Sequence, residues 1–192
     1  MCCTRLVMAF LLAGVALGTA LAIAADKPRL PADKNQPSGG TDTKRSLASD
    51  AISYAPPEGK WIEAVKSKTP MRDSFVSESH DAMIAIEVLP PSMTITPDLA
   101  AAMIKKIREN RKANAQKFVM EPTVEKDERF IIRLHEKYQI KDKIADQLHL
   151  YRQVGPRVVL VTINCLGGED IAKGQQEVAE KSCLSAEFKG KK

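Results

Sequence analysis

The stretch that most constrains this chain is Arg157-Val-Val-Leu-Val-Thr-Ile-Asn-Cys165, its most apolar run after residue 24. It closes a series of strand-like segments at residues 130–140, 144–153 and 157–165, with turns at Lys141-Asp-Lys143 and Gly155-Pro156. Gly167-Gly168 ends the run, and residues 169–188 read as a helix with Ile171, Val178, Ala179, Cys183 and Leu184 turned inward. An antiparallel meander covered by a helix is the framework for everything upstream.

Residues 51–61 read as a short strand running through Pro56-Pro57-Glu58-Gly59 to the single Trp61, which starts a strand over 61–65. Strands over 71–77 and 82–89 flank the polar turn Glu78-Ser-His-Asp81, with Ala82, Ile84, Ile86 and Val88 on one face. A helix follows, with Thr96 as N-cap, Pro97 at the first helical position and Asp98 at the positive end of the dipole. Leu99, Ala100, Met103, Ile104 and Ile107 form its core stripe. Lys105, Lys106, Arg108, Arg111 and Lys112 occupy the other side with only Glu109 against them, which reads as a docking face for anionic membrane or as a solvated helix back. Residues 118–124, interrupted by Pro122, suit an edge strand. The fold class is therefore α+β, a curved antiparallel sheet flanked by two helices.

Residues 1–24 are set apart. Arg5 precedes the apolar stretch Leu6 to Leu21, and Ala22-Ile-Ala24 reads as a small-x-small cleavage site. The rival reading is an uncleaved membrane anchor. Removing this segment lowers the formal charge of +5 by one, too little to imply nucleic acid as a partner. Residues 25–50, with Pro28, Pro31, Pro37 and Ser38-Gly39-Gly40, have no apolar period and read as a disordered linker. The domain is then residues 51–188, followed by a basic tail at 189–192. Beyond the leader, the two cysteines Cys165 and Cys183 are expected to form a disulfide in an oxidising compartment, with two buried thiols as the alternative.

The residues Tyr54-Ala-Pro-Pro-Glu-Gly-Lys-Trp61, the helix opening at Thr96-Pro-Asp-Leu99, the strand from Val159 to Cys165 and the closing Glu180-Lys-Ser-Cys-Leu-Ser-Ala-Glu-Phe188 stand in a distinctive order. In that order the chain resembles the PsbP/Mog-type superfamily, including its bacterial exported domains, over residues 51–188. The resemblance implies an accessory or binding role and no catalysis, although fold alone does not fix function.

No GxSxG, HExxH or P-loop is present, and nothing in the sequence asks for a cofactor. One constellation comes from strand geometry. A three-residue turn at Lys141-Asp-Lys143 pairs Leu134 with Leu150 and Phe130 with Val154, and sets His135 opposite His149. Carried across Gly155-Pro156, it sets Val161 beside Leu150 and Thr162 beside His149. Arg133, His135, His149, Tyr151, Thr162 and Asn164 then share one face, a candidate for a small polar ligand or a protein partner. Two imidazoles alone make a poor metal site. The chain is thus expected to be an exported, non-enzymatic binding module, periplasmic or secreted. A small hydrolase around His135 or His149, or a structural envelope protein, is the alternative.

Overall fold

In the computed structural model, which describes residues 44–49, 51–64, 70–93, 95–96, 98–166 and 170–190, the apolar run occupies the middle of a seven-stranded antiparallel sheet. The leader, most of the linker, Pro97, Gly167-Gly168 and the last two lysines lie outside the described residues. The fold is that of one unit, Thr43–Lys192.

The elements are β1 (Arg45–Leu47), β2 (Ile52–Tyr54), β3 (Trp61–Glu63), β4 (Arg72–Ser77), β5 (Ala82–Val88), α1 (Leu99–Ala113), β6 (Lys117–Glu125), β7 (Ile132–Ile140), β8 (Lys143–Val154), β9 (Arg157–Leu166), α2 (Lys173–Leu184) and β10 (Glu187–Phe188). The large sheet runs β3-β4-β5-β9-β8-β7-β6, and β1, β2 and β10 form a second, three-stranded sheet. This is the α+β arrangement that the PsbP/Mog-type resemblance implies.

Strand side chains alternate between faces, so β9 feeds two interiors. Val159, Val161 and Ile163 meet Ile84, Ile86, Val88, Leu148 and Leu150 on one face, beneath Ala179 and Cys183 of α2 and Leu47, Ile52 and Tyr54 of the small sheet. Each fully buried Ile or Leu there adds roughly 2 kcal/mol. Val158 and Leu160 are buried on the opposite face, which β7 and β8 extend with Leu134, Tyr138, Ala145 and Tyr151. Helix α1 joins that second face through Arg111, which reaches Glu136 and Gln147. The two helices therefore sit on opposite sides of the sheet.

Several expectations are corrected. Residues 45–47, assigned to the linker, form β1 and pair with β2. Helix α1 starts at Leu99 with Asp98 as its N-cap, because Leu99 N–H donates to the Thr96 carbonyl (3.0 Å) and no side chain caps the end. Helix α2 is shorter than the expected span. Its entry is held by Asp146, which takes the Ile171 N–H (2.8 Å), and by Gln175, which takes that of Ala172 (3.1 Å). Its exit is stopped by Arg152, whose Nη1 donates to the carbonyls of Cys183 (3.1 Å), Leu184 (2.8 Å) and Ala186 (2.9 Å). Residues 187–188 then leave the helix and pair with β2 as β10.

Candidate functional site

The expected histidine face depends on the β7–β8 hairpin, and the hairpin turns one residue earlier than expected. Ile140 pairs with Lys143, so the loop is Lys141-Asp142, with Lys141 in the left-handed region at φ 56°. The slip moves every side chain of β7 to the other face relative to β8. His135 now lies opposite Leu148 and His149 opposite Leu134, so the pairings of Leu134 with Leu150 and His135 with His149 are both replaced. The second half of the expected register stands, with His149 opposite Thr162 and Leu150 opposite Val161. Arg133 and His135 therefore face α2, while His149, Tyr151, Thr162 and Asn164 face the α1 side.

On the α2 side, His135 sits between two acids. Its Nε2 is 2.5 Å from Asp146 Oδ1 and its Nδ1 is 3.5 Å from Glu125 Oε1. Asp146 is 1% exposed and also meets Lys137 Nζ at 3.6 Å. Burial alone would raise its carboxyl, but hydrogen bonds from His135 and the Ile171 amide, with the nearby charges of His135 and Lys137, hold it below the usual carboxylate range. Arg133 bridges Glu125 on β6 and Glu180 on α2, the latter at 2.5 Å. Arg129 reaches the same Glu180 (3.0 Å), and Lys137 reaches Asp170 (2.6 Å). These ion pairs fasten the closing helix to the sheet. The imidazole at their centre has both nitrogens turned to carboxylates.

On the α1 side, the charged centre is a pair that sequence reading assigned elsewhere. Arg111, expected on the exposed basic back of the helix, is 2% exposed and binds the fully buried Glu136, Nη2 to Oε1 at 2.6 Å. It also donates to Gln147 Oε1 (3.0 Å) and stacks 3.5 Å above the Tyr138 ring. The signal was present in the sequence. Met103, Ile107 and Arg111 recur at intervals of four, so Arg111 continues the core stripe. Burial pushes His149 down to about 4, with the charges of Arg111 and His135 adding to the effect. Its Nδ1 lies 3.2 Å from Thr162 Oγ1. Tyr151 is raised by burial, and among the described residues the buried Asn164 Oδ1 has no hydrogen-bond partner. A neutral, enclosed histidine beside a buried ion pair belongs to packing.

The expected disulfide is also corrected. Cys165 is a thiol whose Sγ donates to Gln175 Oε1 (3.4 Å), and burial pushes the Cys183 thiol up to about 12. Geometry keeps them apart. Cys165 lies opposite Asp146, whereas Cys183 offers its carbonyl to Arg152, further along the same strand. Cys165 touches Gln175 in the first turn of α2, and Cys183 lies eight residues further along that helix, about 12 Å on, beyond the roughly 7 Å between Cα atoms that a disulfide allows.

A shallow depression lined by Ala55, Pro56, Glu58, Val178, Lys181 and Ser182 holds about one water molecule and touches neither histidine. Among the described residues, no group of three or more His, Cys, Asp or Glu is placed to hold a metal, and no helix is long and apolar enough to cross a membrane.

No family model matches the chain, and no curated protein matches it. Among solved structures it is similar to the Ran-binding protein Mog1p of Saccharomyces cerevisiae, at 8% identity and a TM-score of 0.48, over 77% of this chain and 95% of that one. A protein from Bacteroides thetaiotaomicron matches at 12% identity and a TM-score of 0.43, over 77% of this chain and 48% of that one. LpqN of Mycobacterium tuberculosis, involved in cell envelope biogenesis, matches at 12% identity and a TM-score of 0.38, over 77% and 90%. Every one of these TM-scores is below 0.5, and none of the likenesses carries a role or partner to this chain.

Proposed function

We propose that this chain is an exported, non-catalytic binding module that docks a partner protein of the cell envelope along β6. The observation that carries the reading is the state of that strand. β6 ends the large sheet, and its Val119 (57% exposed) and Val124 (42%) are two of the three large apolar side chains that the described residues leave in solvent. An open edge offers backbone donors and acceptors to an extended segment, with flanking apolar side chains as anchors. Register shifts between Phe118 and Met120 and between Met120 and Thr123, the second spanning Pro122, bend the edge and limit indiscriminate pairing. The leader-like residues 1–24 support export.

The hydrolase alternative asks a histidine to take a proton from a nucleophile. His135 directs both nitrogens at carboxylates, and His149 is 8% exposed. Neither arrangement offers a free basic nitrogen to a substrate.

The test is a photo-crosslinking residue placed in the full chain at Val119, Val124 or, as control, Glu177 on α2. A discrete adduct in the exporting host at 119 and 124, absent at 177, supports docking at β6. Adducts of twice the chain mass would instead indicate self-association and the structural alternative. Equal products at all three positions would contradict the proposal.

A further inference from the structure

One end of the large sheet collects lysines from three separate elements. Lys112 lies in the last turn of α1, and the Gln116 N–H closes that end by donating to the Arg111 carbonyl (2.9 Å). Lys117 opens β6 and pairs with Gln139, close to the tip of the β7–β8 hairpin. Lys141 stands in that tip and Lys143 opens β8 beside it. All four side chains are exposed, and among the described residues none of the four has an ion-pair partner. Elsewhere Lys137 meets Asp170 at 2.6 Å, Lys44 meets Glu187 at 2.6 Å and Lys181 meets Glu58 at 3.3 Å. Lys105, Lys126 and Lys189 stand unpaired but scattered among the described residues, so what marks this end is the gathering of four. Among the described residues at the lysine end, the acid inside the cluster is Asp142, and Asp170 is already engaged by Lys137.

We propose that this end of the sheet rests on an anionic lipid surface. The four charges project from a helix end, a strand start and a hairpin tip rather than lining a groove, so they present a broad front. Each is an ammonium on a flexible stem, a point charge without the fork that arginine uses to read one carboxylate or phosphate. The exposed arginine on α1, Arg108, is occupied by Glu121 at 2.7 Å. A broad front of lysines suits a continuous negative surface, where each gains from proximity alone. A defined acidic peptide would need fixed partners at each position. Lys117 and Val119 share β6 two residues apart, and the flotation and crosslinking readouts keep lipid contact at this end distinct from protein docking along the strand.

The test uses the full chain in flotation with two kinds of vesicle, pure phosphatidylcholine and phosphatidylcholine with about one-third phosphatidylglycerol. The apolar residues 6–21 raise binding to both kinds alike, so the readout is the ratio between them. Three proteins are compared. They are the native chain, a variant with Lys112→Gln, Lys117→Gln, Lys141→Asn and Lys143→Gln, and a control with Lys44→Gln, Lys126→Gln, Lys181→Gln and Lys189→Gln, which lie at the other end of the sheet. Asn at 141 tolerates the left-handed backbone. The native chain and the control should prefer the anionic vesicles, and the first variant should lose that preference by roughly tenfold or more. High salt should abolish the preference. Equal losses in both variants, or no preference in the native chain, would overturn the proposal. Stronger retention on soluble polyglutamate than on the anionic vesicles at matched charge would replace it with an acidic polypeptide partner. Matching circular dichroism of the three proteins separates loss of charge from loss of fold.

Discussion

Arg111 Nη2 and Glu136 Oε1 lie 2.6 Å apart with both side chains almost wholly out of water, joining the end of α1 to the middle of β7. Removing one partner strands the other as a buried charge. Arg111→Met should lower unfolding free energy by about 3–5 kcal/mol, while Arg111→Met with Glu136→Met should recover most of that loss. Urea denaturation of the single and double variants checks this, and additive losses would mean that the pair is not coupled.

The pair also explains what was legible in the sequence. Strands and helices could be read because their apolar residues recur with period two or four. Ile84, Ile86 and Val88 on β5, and Met103 and Ile107 on α1, are all buried as that period demands. The β7–β8 register could not be read in the same way. Ala145 through Tyr151 are all buried, since β8 is covered on both sides, and an unbroken buried run gives no alternation to choose between two registers. The choice fell to the turn, where Lys141 takes a left-handed conformation that a lysine does not advertise. The expected site failed at that residue. At Arg111 the two signals conflict, since its charge points to solvent and its place after Met103 and Ile107 points to the core.

Acid should weaken the fold through His149. Its folded value of about 4 lies below the ordinary 6.5, so the unfolded chain binds the extra proton first. The stability is complete above about 6.5 and is lost as pH falls towards 4, a change of about 3 kcal/mol. Glu87, raised by burial, works in the opposite sense, so the comparison that isolates the histidine is native protein against His149→Gln. Denaturant midpoints across this range should converge on acidification, and parallel profiles would contradict the account.

Arg152 closes the C-terminal end of α2 by donating to three carbonyls, one of them beyond the helix. A cation there also complements the negative end of the helix dipole. Arg152→Met should cost about 2 kcal/mol and speed amide exchange in the last turn of α2 and in β10. Uniform exchange rates along the helix would argue against a local cap.

Gly155, at φ 59°, lies under Phe188, and a Cβ added there would stand 2.8 Å from Phe188 Cγ. Gly155→Ala combines backbone strain with this clash and should cost roughly 2–3 kcal/mol. Phe188 Cβ would itself stand 2.9 Å from the added atom, so the background that leaves only the strain is Phe188→Gly, where the added cost should fall to about 1 kcal/mol. An unchanged cost would mean that β10 does not pack against the β8–β9 turn.

Ala115 ends α1 in the left-handed region at φ 54°, where glycine carries no penalty. Ala115→Gly should raise the thermal midpoint, with a gain of about 0.5–1 kcal/mol. A lowered midpoint would place the residue outside that conformation.

The central claim is that His135 and His149 stand on opposite faces of the sheet, one held among ion pairs and the other enclosed beneath α1. The most direct measurement is the pattern of cross-strand nuclear Overhauser contacts along the β7–β8 hairpin in isotope-labelled protein. The account predicts contacts that pair His135 with Leu148, Leu134 with His149 and Ile140 with Lys143. Contacts pairing His135 with His149 and Leu134 with Leu150 would contradict it and return both histidines to one shared site.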